Sequence, residues 1–127
     1  MNLLTVLAIG VGGGIGAVLR YLVSVAALRL IGPGFPWGTL AVNVAGSLAM
    51  GVLVSLFAQR WPASGEMRAF LTTGILGGFT TFSAFSLDAV ALAERDAWLA
   101  AAAYVAGSVA VSILALAAGQ RLVHAWS

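Results

Sequence analysis

The chain has no cysteine, no lysine and a single histidine, His124, and only four of its 127 residues are acidic. Without cysteine there is no disulfide framework and no thiolate metal or redox site. The acids are Glu66, Glu94 and Asp96 in predicted loops and Asp88 near the end of a predicted helix. No paired carboxylates, histidine cluster or nucleophile–base arrangement results, so enzymatic chemistry has no footing and no organic cofactor is expected. Six arginines leave a formal charge of +2, too small and too scattered for a nucleic-acid-binding surface.

What fills the chain instead is apolar: 61% of residues are hydrophobic and 8% charged, against about 25% charged in soluble domains. Uncharged stretches cover residues 1–19, 30–59, 69–87 and 97–120, each near or above the roughly 20 residues that span hydrocarbon as a helix. The expectation is an all-α integral membrane protein, one four-helix transmembrane domain over residues 1–127. Its helices are placed at about 3–31, 38–59, 69–93 and 97–122, the third broken at 77–80. The first stretch lacks the basic flank of a signal peptide and runs too far for its apolar core, so it is taken as a helix.

Orientation is poorly specified. Arg60, Arg68 and Arg121 lie towards one side, Arg29 and Arg95 towards the other, and Arg20 lies inside the first helix. Lys/Arg excess fixes membrane orientation, and here the excess is close to nil. Either the host tolerates a weak signal, or the chain inserts both ways and pairs antiparallel with itself.

The third span departs most from a plain lipid-facing helix. From Gly74 to Ser86 it carries Gly77-Gly78, Thr80-Thr81 and three phenylalanines. Each glycine weakens a helix by roughly 1 kcal/mol relative to alanine, and Thr80 or Thr81 can cap a restarted one. Unwound backbone at membrane depth is tolerated only where protein buries it or a polar cavity faces it. Beyond the break, Phe82 and Phe85 share a face, interleaved with Thr80, Thr81, Ser83 and Ser86. Such a mixture packs poorly against lipid. Aromatic ring edges are positive, and with hydroxyls they can hold a small anion without trapping it.

The other spans carry matching features. Gly10/Gly14 and Gly12/Gly16 form two overlapping small-xxx-small spacings, a packing face for close helix approach. Arg20 follows one turn later, where it either snorkels or lines a vestibule. After the Gly32–Trp37 turn cluster, Thr39, Asn43 and Ser47 recur every fourth residue. Asn43 is either interhelical glue or a donor aimed into a pore. Tyr104, Ser108 and Ser112 repeat that spacing on the fourth span, with Gly107 beside them as a close-packing position. Two such stripes make a hydroxyl-lined track if they face each other. Trp37, Arg121, His124 and Trp126 suit the interface.

Three blocks together carry a resemblance: Gly13–Tyr21, Gly38–Ser47 and Gly77–Phe85. In order and spacing they resemble the signature segments of the Fluc/CrcB fluoride channels, and the similarity covers essentially the whole chain. Ala84 stands where that family has Thr, and Leu48 where Phe is common. The resemblance implies a dual-topology antiparallel homodimer in the bacterial inner membrane that passively exports cytoplasmic fluoride through two pores. It implies a fluoride pathway along Asn43, Phe82, Phe85, Tyr104, Ser108 and Ser112; Thr39 and Ser83, on the same polar faces, are added to it as candidates from the residue pattern, with Arg20 as the vestibule candidate. It also implies a structural Na⁺ at the dimer centre, held by the main-chain carbonyls of Gly77 and Thr80. Fluoride as the ion comes from the resemblance and not from the residue pattern. A rival of the same size is a proton-coupled exporter of the small multidrug-resistance type, disfavoured because the first span has no carboxylate.

Overall fold

The structure, a computed structural model, describes residues 2–126. Four helical segments are long and apolar enough to cross a membrane: α1 (Leu3–Leu30), α2 (Trp37–Gln59), α3 (Gly65–Glu94, interrupted) and α4 (Trp98–Ala125). The chain is a multi-pass membrane protein. Large side chains such as Leu30 and Leu99 stay exposed around the bundle; water would penalise that surface, whereas hydrocarbon solvates it.

Local chemistry sets the ends. The Asn2 side chain accepts from the Leu4 N–H at 2.9 Å to start α1. Gly32, at φ +107°, stops it, and the Ala27 carbonyl accepts from the N–H groups of both Ile31 and Gly32, the arrangement for which a left-handed glycine is favoured. The α3–α4 turn passes through Asp96 at φ +60°, a residue type that tolerates this region. Its neighbour Arg95 donates from Nη2 to the Gly34 carbonyl at 3.1 Å, tying the two turns at that end together. At the opposite end Asn2 Nδ2 donates to Glu66 Oε1 at 2.9 Å.

α3 starts at Gly65, earlier than the sequence suggests, because Ser64 Oγ accepts from the Met67 N–H at 3.1 Å and caps it. α4 continues to Ala125, past the expected 122. Over Phe70–Leu76, α3 widens into a π-helix, then tightens to α over Gly77–Phe79. Thr80 and Thr81 are extended, and the helix restarts at Phe82–Glu94; we call the parts before and after the break α3a and α3b. The bend is present, but it overlaps the expected 77–80 only at Thr80. Gly77 and Gly78 remain helical, and the two threonines are the residues that leave the helix.

Packing explains the difference. A Cβ on Gly78 would overlap the Gly13 carbonyl, and a Cβ on Gly16 would overlap that of Ile75. Glycine at these places lets α1 and α3a meet backbone to backbone. Of the two small-residue spacings in α1, only Gly12/Gly16 is used this way; nothing lies within 4 Å of a Cβ on Gly10 or Gly14. The same holds for Gly107, expected to pack closely, whereas Gly119 and Gly51 bring α4 against α2. The compact centre is Phe85, Leu92, Ala101 and Tyr104, between α3b and α4.

Candidate functional site

The break is held open by side chains that take over main-chain partners. Thr81 Oγ1 accepts from the Ala84 N–H at 3.1 Å and caps α3b, worth about 1 kcal/mol. Thr80 does not cap; its hydroxyl donates back to the Leu76 carbonyl at 2.9 Å. From α2, Asn43 Oδ1 accepts from the Thr81 N–H at 2.8 Å, and Asn43 Nδ2 donates to the Thr81 carbonyl at 3.0 Å. Thus Asn43 is glue at the break, and the second N–H of its amide remains for another acceptor.

These exchanges leave particular carbonyls without their ordinary helical donors. In a continuous helix Gly77 would receive the Thr81 N–H and Thr80 the Ala84 N–H. The first goes to Asn43 and the second to the Thr81 side chain. Gly77 and Thr80 are the two positions at which a main-chain cation site is expected, and the loss of donors there fits oxygen ligation of a hard cation. Among the described residues there is no group of three or more His, Cys, Asp or Glu side chains that could hold a metal.

Beside the break lies a cavity of about 440 Å³, bordered by Asn43 and Ser47 from α2, Gly77 and Thr80–Phe82 and Phe85 from α3, and Ser108 and Ser112 from α4. The two four-residue stripes therefore do converge, through their inner members. Phe82 is 77% exposed on the open side of this cavity, whereas Phe85 is buried; their ring centroids are 5.4 Å apart. Ser108 Oγ is buried and has no hydrogen-bond partner. A hydroxyl desolvated without a partner is costly, and its position at the cavity makes it available to an ion.

The remaining expected residues lie elsewhere. Thr39 borders a second cavity of about 370 Å³ with Asp88 and Arg95. Tyr104, almost fully buried, donates its hydroxyl to Asp88 Oδ2 at 3.2 Å and packs its ring, tilted, against Phe85 at 5.1 Å between centroids. It lines the α2–α4 groove with Ser108 and does not border the first cavity. Ser83 is exposed, with its hydroxyl 3.3 Å from that of Thr81. Arg20 Nε donates to the Gly78 carbonyl at 3.1 Å. Two residues go beyond the expected set. Ser47 was legible as a member of the α2 stripe; Asp88, near the end of the predicted helix, lies three residues from Phe85, a spacing that places both on the α4-facing side.

Comparison with known proteins gives a consistent result. A family model described as CrcB-like protein, Camphor Resistance (CrcB), matches residues 7–120. A protein of Agrobacterium fabrum strain C58 named fluoride-specific ion channel FluC is 57% identical over 120 residues, covering 94% of this chain and 96% of that one. Relatives carrying the same name in Chelativorans sp. strain BNC1 and Rhizobium meliloti strain 1021 are 61% and 52% identical. They cover 85% and 94% of this chain, and 86% and 96% of their own lengths.

Proposed function

This chain belongs to the CrcB-like family, and from that premise we propose that it is a fluoride-selective channel that lets cytoplasmic fluoride leave a bacterial cell passively across the inner membrane. It is not an enzyme. The observation that carries the reading is the cavity where Asn43, Phe82, Phe85, Ser108 and Ser112 converge beside the break, in a chain 52–61% identical to proteins named as fluoride channels.

Fluoride leaves water only if donors replace its hydration shell. The spare N–H of Asn43 and the hydroxyls of Ser108 and Ser112 supply neutral donors, and the phenylalanine rings supply positive edges. None carries a full charge, so binding stays weak enough for release. Thr39, Ser83 and Tyr104 extend the path outside the cavity, and Arg20 is its vestibule candidate.

The working unit is an antiparallel homodimer with two pores. Supporting this are the near-absent arginine bias and the exposure of Phe82, whose ring needs a facing surface to line a path rather than meet lipid. A two-fold axis at the break would bring together both copies of the Gly77 and Thr80 carbonyls, which would hold a Na⁺ at the dimer centre. When bound, the cation neutralises those oxygens and links the subunits.

The test is efflux from liposomes containing the purified protein, started with a K⁺ ionophore and read with a fluoride electrode. Fluoride should leave without any proton gradient and chloride should hardly move. Equal chloride flux sinks the selectivity; flux that requires a proton gradient returns the exporter reading.

A further inference from the structure

The break strands carbonyls within a membrane-spanning segment, where backbone groups need partners, and one is handled differently from the rest. Gly78 would ordinarily accept from the N–H of Phe82, which begins the restarted helix. Instead its carbonyl accepts from Arg20 Nε at 3.1 Å, across from α1. Arg20 gets there along a notch: Gly12 and Gly16, two turns and one turn before it on the same face, are buried. Gly78 also lies against the main chain of Gly13, so closely that a Cβ would not fit. Gly78 is thus clamped at its Cα by Gly13 and at its carbonyl by Arg20.

We propose that Arg20 is the C-cap of the interrupted helix, a positioning residue whose guanidinium satisfies Gly78 while the Gly77 and Thr80 carbonyls stay without their helical donors. Three physical points favour this role. A charged donor makes a shorter and stronger bond to a carbonyl than a neutral one. The guanidinium lies at the C-terminal, negative end of α3a, where a cation is favoured. A charge this far along a membrane helix needs an internal partner or a route to water, and Arg20 turns inward to the break. The division of carbonyls further rests on the Na⁺ reading: removing the guanidinium frees a further oxygen and removes a like charge beside the cation, so Na⁺ should bind more tightly.

Arg20→Met and Arg20→Lys in the full-length protein separate capping from simple attraction of fluoride into a vestibule. Hydrogen exchange in Na⁺-free buffer reads the amides at 80–82. Arg20→Met should exchange there about tenfold faster than wild type, consistent with loss of a charge-assisted bond, and Arg20→Lys should fall between. Thermal unfolding with and without Na⁺ should show a larger Na⁺-induced rise for Arg20→Met than for wild type. Wild-type exchange at 80–82 in Arg20→Met overturns the cap. If Arg20→Met exchanges fast throughout, Arg20→Lys decides: faster exchange confined to 80–82 supports the cap, and wild-type exchange overturns it. A wild-type unfolding temperature indifferent to Na⁺ overturns the cation reading alone, since the exchange arm contains no Na⁺. An unchanged Na⁺ response in Arg20→Met, with wild type responding, overturns the division of carbonyls.

Discussion

Asn43 brackets the main chain of Thr81, accepting from its N–H at 2.8 Å and donating to its carbonyl at 3.0 Å. One amide thereby takes the Thr81 N–H from its helical acceptor, adds a donor to the Thr81 carbonyl, and still has an N–H left. Asn43→Leu should lose fluoride flux and also stability, because the part-buried Thr81 N–H is left unsatisfied at about 1–3 kcal/mol and the Thr81 carbonyl loses one of its donors. Asn43→Asp keeps the acceptor but loses the donor, so it should retain part of the stability and none of the flux. Unfolding and efflux measured on the same preparations check both halves.

Phe82 and Phe85 differ in burial, 77% against 8% exposed, and their substitutions should differ accordingly. Phe82→Ile is expected to slow flux strongly while unfolding as wild type does. Phe85→Ile should slow flux too, and in addition lose the ring contact with Tyr104, worth about 0.5–1.5 kcal/mol. Size-exclusion chromatography should show the same oligomer for both. Wild-type flux in both variants would remove the rings from the mechanism.

Ser108 offers a prediction of unusual sign. Its buried hydroxyl has no partner, so Ser108→Ala should leave stability unchanged or slightly raised, since deleting an unsatisfied polar group costs nothing. Flux should nonetheless fall roughly ten- to hundredfold, the worth of one donor to a charged acceptor. A destabilised Ser108→Ala with normal flux would make the residue structural.

The glycines of α1 should separate cleanly. Gly16→Ala puts a Cβ into the Ile75 carbonyl, whereas Gly14→Ala meets nothing within 4 Å. The first is expected to destabilise by about 1–3 kcal/mol or more through overpacking of two backbones; the second should be neutral within a single chain. If Gly14→Ala alone disturbs the oligomer, that outer face belongs to a subunit contact.

Much of the architecture is legible in the residues themselves. Length and hydrophobicity dictate four spans because hydrocarbon thickness sets helix length, and a run with Thr80-Thr81 and a glycine pair dictates a bend somewhere in the third. Four-residue spacing puts Asn43 with Ser47, and Ser108 with Ser112, on single faces, and the three signature blocks carried the family. Spacing does not say which way a face turns within the bundle. Gly10/Gly14 and Gly12/Gly16 read identically along the chain, yet only the second pair meets α3a, because the neighbour decides which face is used. The same limit hid the place where the backbone unwinds. Propensity pointed to Gly77-Gly78, but both stay helical, Gly78 pressed against the main chain of Gly13, and Asn43 takes the Thr81 N–H at the threonines, where the helix ends. Arg20 on Gly78 and Tyr104 on Asp88 likewise join separate helices, and only the packed bundle brings such partners within hydrogen-bond reach.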